Sequence, residues 1–248
     1  MTSDHCTKTL DDDMARLVDR LSDLLEDLGL PGNELGERKH LEPLLTEAVS
    51  AADVPFDRLP HGGHQDLRCF PAVKNFDFTL MHAECGLVLG ELKHSTAIRS
   101  AGLMFEQAWD AVKLALARVE QADVARGYII CGGYGPVWAG HTSCADLFED
   151  SLIDPVELWQ RPISDEMPAP AGPDGWITVG ADLEAGGPGR IACAPEYLGI
   201  THIATKEMKL PKHKEPWLLK CAAVEPRGEL REWPLPHAPF PPGGGAAK

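Results

Sequence analysis

The chain has 248 residues, 44% of them hydrophobic, and a formal net charge of −15 at pH 7. That is enough to bury the core of one large domain, and the acidity argues against tight, nonspecific binding to nucleic-acid phosphates, which draws affinity from basic density. No apolar run approaches the ~20 residues of a membrane helix, and the N-terminus MTSDHCTKTLDDDM is polar and acidic, so a cytoplasmic location with no membrane partner is expected.

Much of the charge is local, since residues 1–60 hold 6 of the Lys and Arg residues and 14 of the Asp and Glu residues. Cysteines 6, 69, 85, 131, 144, 193 and 221 form no CxxC pair and no dense framework, which predicts that most are reduced.

Residues 9–30 space Leu10, Met14, Leu17, Leu21, Leu24, Leu25 and Leu28 at helical intervals, with acids near the start to suit the helix dipole. Gly29, Pro31 and Gly32 end this helix. A second helix is expected over 41–52, with Leu41, Leu44, Leu45, Ala48, Val49 and Ala52 on one face and Pro43 tolerable only in the first turn. Three short apolar runs follow at 67–73, 76–81 and 87–92, the last two read as a hairpin closed by HAECG. Ser100 can cap a helix over 101–121 whose Met104, Ala108, Ala111, Val112, Ala115 and Val119 form a buried stripe, and residues 127–131 read as a buried strand. Beyond Gly132 the pattern predicts a short helix near 144–160, a Pro/Gly-rich stretch at 162–175 and strands at 176–180, 190–194, 200–206 and 217–224. The tail from Pro234 is too poor in apolar residues to pack.

Asp77 lies in one strand of the expected hairpin, and thirteen residues separate it from Glu91, which opens Glu91-Leu92-Lys93 in the other. Alternation along a strand sends Glu91 and Lys93 to one face and Leu92 to the opposite one. An acid pair buried among Phe76, Phe78, Leu89 and Leu92 is costly unless neutralised, and a divalent cation with oxygen ligands, Mg²⁺ or Mn²⁺, is the usual compensation. Hydrolysis of a phosphodiester needs a deprotonated water and stabilisation of developing negative charge, tasks that such a metal and the nearby Lys93 can share.

In that order of elements and in Asp77…Glu91-x-Lys93, residues 41–131 resemble the core of the PD-(D/E)xK, or restriction-endonuclease-like, nucleases. The resemblance implies an α/β fold with a mixed central sheet flanked by helices. It divides the chain into an N-terminal amphipathic helix (1–32), the core (33–135), a β-rich C-terminal extension of the same domain (136–233) and a tail (234–248). It also implies that Asp77 and Glu91 are metal ligands helped by the Leu92 carbonyl, and that Lys93 positions or activates the attacking water. A glutamate from the preceding helix often completes such sites, and Glu42, at the edge of that helix's apolar face, is better placed than Glu47. Gln107 resembles the glutamine that some members carry near the site. Phe76 replaces the motif's proline before the aspartate, which many members also lack.

Other patterns carry less. His82-Ala83-Glu84 matches the H-x-E of zinc deaminases, but no PCxxC follows, so these residues read as part of the hairpin turn. His61 with His64, and His141 with Cys144, lack identifiable further zinc ligands. Gly132-Gly133-Tyr134-Gly135 lacks the ending of a phosphate loop and reads as a tight turn. Lys206, Lys209, Lys212 and Lys214, with Lys220 beyond them, make a local basic region suited to phosphate contact or to a solvated loop.

The expectation is a Mg²⁺-dependent nuclease acting on DNA, or RNA, with a homodimer among the assemblies left open. The alternative is a catalytically silent interaction or immunity module of the same fold that binds a basic protein partner through its acidic surface.

Overall fold

The computed structural model describes residues 3–50, 53–59, 76–95, 101–134, 146–155, 193–212 and 215–232. The N-terminal pattern forms helix α1 (Ser3–Asp27), which stops where Gly29 adopts the left-handed conformation (φ +61) and gives its N–H to the Glu26 carbonyl. A short 3₁₀ turn (Gly32–Glu34) and a π-helical turn (Glu37–Leu41) lead into α2 (Glu42–Ser50). Pro43 occupies the first turn of α2, where a missing N–H is tolerated.

The expected hairpin is present as β2 (Phe78–His82) and β3 (Gly86–Ser95), antiparallel, with Phe78 opposite Gly90 and His82 opposite Gly86. A short β1 (Phe56–Arg58) pairs outside β2. Helix α3 (Ala101–Glu120) then crosses over and returns the chain as β4 (Val124–Tyr134), parallel to β3, because a parallel neighbour requires a crossover connection. Val119, expected in the buried stripe, is exposed in the last turn of α3, whereas Ala111, Val112 and Ala115 are buried.

The sheet continues through β7 (Trp217–Glu232), β6 (Cys193–Met208) and β5 (Ser151–Ile153), giving seven strands in the order β1-β2-β3-β4-β7-β6-β5, with β3–β4 as the parallel pair. The molecule is therefore an α/β protein with a mixed sheet. The C-terminal strands share the sheet of the central ones, and Cys193–Ala194, the described part of the run at 190–194, and the run at 200–206 are one strand bent by register shifts at Pro195/Tyr197 and His202/Ala204. The helix expected near 144–160 is not formed at Ser151–Ile153, which is the edge strand β5 paired with Leu198–Ile200. The strand runs at 67–73 and 176–180 and the Pro/Gly-rich stretch at 162–175 lie outside the described residues.

Two apolar layers sandwich the sheet. One packs α3 against Leu89, Ile129, Cys131 and Val224, and the other packs α1 and α2 against Val88, Leu92, Ile130 and Leu219. Alternate residues of β3 thus face opposite layers, which settles the side to which Glu91 and Lys93 project. Among the described residues no helix is long and apolar enough to cross a membrane. Cys6, Cys85, Cys131 and Cys221 are free thiols, and Cys193 is disulfide-bonded.

Candidate functional site

Asp77 sits at the bend immediately before β2, and its Oδ2 accepts the backbone N–H of Leu92 at 2.8 Å. The same oxygen lies 3.7 Å from Lys93 Nζ. Glu91 and Lys93 share the α3 face of β3, as alternation requires, while Leu92 is buried among the α1 and α2 side chains.

Helix α3 adds two groups that the sequence did not single out. Asp110 Oδ2 is 3.1 Å from Lys93 Nζ, and Asp110 Oδ1 is 3.2 Å from Lys113 Nζ. Lys113 is also in direct contact with Glu91 Oε1 and lies over the Phe76 ring, 5.1 Å from its centroid. Glu91, Asp110 and Lys113 are all buried, at 2%, 4% and 8% exposure; such charges are sustained only by mutual pairing. Gln107 was expected near the site, and it is fully buried one turn earlier on the same helix. Its Nε2 donates to Cys131 Sγ at 2.9 Å, and Cys131 is the cross-strand neighbour of Lys93. Residues three and four apart share a helix face, so the face of Gln107 was the signal that could have found Asp110, and Asp110 in turn the signal for Lys113.

Glu42, chosen from the sequence, does reach the site. Glu37, Glu42 and Asp77 each offer a carboxylate oxygen, all within 4.8 Å of one another and all half-buried. Glu37 escaped the sequence reading because in a regular α-helix residues five apart point about 140° away from each other. Here the Glu42 N–H bonds to the Glu37 carbonyl across a π-turn, whose wider winding brings such a pair toward one side. Pro43 accounts for the widening, since it has no N–H for the carbonyl four residues earlier and its ring would press on that group.

The electrostatics follow from this packing. Burial and the neighbouring Asp110 hold the Glu91 carboxyl well above its ordinary value, against the pull of Lys113. At Asp77 burial also disfavours the charge, but the hydrogen bond with Glu91, the Lys93 ammonium and the Leu92 amide outweigh it and hold the group below the usual aspartate range. Burial works against the charge on Lys93 and Lys113 too, yet the surrounding carboxylates, Asp110 first, raise both. Near neutral pH Asp77 is an anion and both lysines are cations.

The donor set fits a hard divalent ion. Oxygens that coordinate one such ion at about 2.0–2.6 Å lie within roughly 5 Å of one another, which the Glu37, Glu42 and Asp77 oxygens satisfy. Carboxylates alone, without thiolate or imidazole, suit Mg²⁺ or Mn²⁺.

The remaining expectations fall elsewhere. Lys206 pairs with Asp19 of α1, the Lys209 backbone N–H donates to Glu26 at 3.2 Å, and Lys212 Nζ lies 3.5 Å from Glu34, so acids of the N-terminal segment border this basic region. Lys214 lies outside the described residues, as do His61, His64, His141 and Cys144. His82 is a buried structural histidine: its Nε2 meets Asp13 at 2.8 Å, and its Nδ1 accepts the N–H groups of Glu84 and Cys85. Gly132 and Gly133, expected in a tight turn, are instead inside β4. Comparison with protein-family models, with curated proteins and with solved structures gives no match for this chain.

Proposed function

We propose that this chain is a divalent-cation-dependent nuclease with a restriction-endonuclease-like core, hydrolysing DNA phosphodiester bonds. In this reading Asp77 and Glu91 hold Mg²⁺ or Mn²⁺ with the Leu92 carbonyl, Glu42 completes the set, and Lys93 assists the attacking water. The observation that carries it is the convergence of the Glu37, Glu42 and Asp77 carboxylates within 4.8 Å of one another, beside a lysine 3.7 Å from Asp77.

When bound, such a cation polarises the phosphoryl oxygen and makes a coordinated water more acidic. The protein's own groups divide the remaining work. Lys93 is held above its ordinary value and keeps its proton, so it orients water and stabilises negative charge instead of acting as a base. Gln107, behind Lys93 on α3, is a positioning residue acting through Cys131 and the strand. Where Lys206, Lys209, Lys212 and Lys214 meet nucleic acid, the acids Asp19, Glu26 and Glu34 that border the first three limit the contact to weak, salt-sensitive binding.

The test is cleavage of plasmid, linear duplex and single-stranded DNA, and of RNA, with Mg²⁺ or Mn²⁺, by wild type, Asp77→Ala and Lys93→Ala. Cutting that needs the metal and falls by at least about 10²-fold in each variant is expected. Cutting indifferent to either substitution sinks the assignment.

The net charge of −15 favours a second reading, a catalytically silent module that docks a basic protein partner. That reading takes over if no substrate is cut and neither metal raises the melting temperature in an Asp77-dependent way.

A further inference from the structure

The ammonium of Lys113 sits where a cation on Glu91 would sit. It touches Glu91 Oε1, it is buried, and a second carboxylate, Asp110 Oδ1, lies 3.2 Å away on the same helix turn. Asp110 in turn reaches Lys93, which reaches Asp77. Three carboxylates and two ammonium groups thus form one chain of contacts, and within it Glu91 is the member that Lys113 touches directly.

Glu91 therefore differs from Glu37, Glu42 and Asp77. Those three present oxygens to one another in a half-buried position, with Asp77 3.7 Å from the Lys93 ammonium, whereas the buried Glu91 oxygen is in direct contact with an ammonium. A divalent ion recruiting Glu91 must displace an ammonium from a site with little water to receive it, which is unfavourable unless the displaced charge keeps a partner. Asp110 supplies that partner.

We propose that Lys113 is a placeholder cation that holds Glu91 in the metal-free protein and retreats onto Asp110 when a divalent ion engages Glu91. This rests on the divalent-cation reading above, and it goes beyond that reading by naming the residue that sets how tightly the ion is held. It predicts a site that is weak in wild type, because ion binding has to break the Lys113–Glu91 contact, and tight when that contact is absent.

The test is a double-mutant cycle on the full chain, titrating Mn²⁺ alone and reading free ion by electron paramagnetic resonance, so that no catalytic turnover is needed. Lys113→Met is expected to tighten Mn²⁺ binding by about tenfold or more, with Lys113→Arg staying near wild type. Glu91→Gln, which removes a ligand of the proposed site, is expected to weaken binding in wild type and to abolish the gain in the Lys113→Met background. An unchanged or weakened affinity in Lys113→Met overturns the placeholder. A gain that survives Glu91→Gln also overturns it, since the effect is then through-space charge alone. If Lys113→Met does not fold by circular dichroism, Asp110→Asn decides: without the retreat partner affinity falls by about tenfold, and an unaltered affinity overturns the proposal. Asp77-dependent Mn²⁺ binding that ignores Lys113 removes only the placeholder, whereas the absence of saturable binding in wild type and Lys113→Met alike removes the divalent reading with it.

Discussion

The Asp77 carboxylate accepts the Leu92 backbone N–H at 2.8 Å and so clips the bend before β2 onto the neighbouring strand that carries Glu91 and Lys93. One acid thus belongs both to the candidate site and to the sheet, and its charge and its hydrogen bond can be separated by substitution. Asp77→Asn keeps an oxygen for the Leu92 amide and removes only the charge. The folded-state value of Asp77 lies below the ordinary one. Its contribution to stability is therefore present above the ordinary aspartate value of about 3.9 and is lost as pH falls through the lower folded value. Urea unfolding in EDTA should find Asp77→Asn less stable than wild type by about 1 kcal/mol at pH 7, with the gap closing on acidification toward pH 3. A gap that persists or widens in acid would show that the charge is not what matters.

How much of this could be read in advance depends on how local each signal is. The β2–β3 hairpin was legible because its alternation is strict and its turn is short, and α3 because its apolar spacing extends over several turns. Asp110 and Lys113 hid inside that same helix, since a charge next to an apolar stripe reads as a surface residue until the sheet is known to lie above it. Glu37 was out of reach because its position is set by a π-turn next to Pro43. Ser151–Ile153 was misread because it owes its conformation to Leu198–Ile200, almost fifty positions away. The strand at 217–224 runs on to Glu232 even though Pro226 and Gly228 suggest a stop. Pairing with β4 ends at Val224, so on that side Pro226 lies past the last β4 partner, where a missing N–H is tolerated.

Gly132 illustrates a constraint that the sequence disguised as a turn. A Cβ there would lie 1.9 Å from the indole of Trp217, which is fully buried and belongs to the adjacent strand β7. The ring cannot yield into a packed layer, so Gly132→Ala should destabilise the protein by about 1–3 kcal/mol or more and change the near-ultraviolet circular dichroism of the tryptophans. Gly36→Ala is the control: its nearest neighbour would be 3.8 Å away and its backbone is already extended, so a change within about 0.5 kcal/mol is expected. Equal effects at the two positions would discredit the packing argument.

The largest stability effect is expected far from the candidate site, at Arg126 of β4. Its guanidinium is 2% exposed and joins three elements, donating from Nε and Nη2 to Asp11 of α1 at 3.1 and 2.9 Å and from Nη1 to Glu225 of β7 at 3.2 Å. Tyr128 donates to the same Asp11 at 2.8 Å, and Arg118 supports Glu225 at 2.9 Å. Arg126→Met fills much of the volume but takes both guanidinium hydrogen bonds from Asp11, which keeps the Tyr128 hydroxyl. Breaking a buried pair by removing one partner typically costs about 3–5 kcal/mol, because the remaining charge stays uncompensated. Replacing Asp11 by Leu in the same protein removes that charge as well, so Arg126→Met/Asp11→Leu should recover part of the loss although one more native contact has gone. Urea unfolding of the single and double variants measures both. A loss below about 1 kcal/mol in Arg126→Met, or a double variant less stable than the single, would mean that the apolar contacts of α1 alone hold it on the sheet.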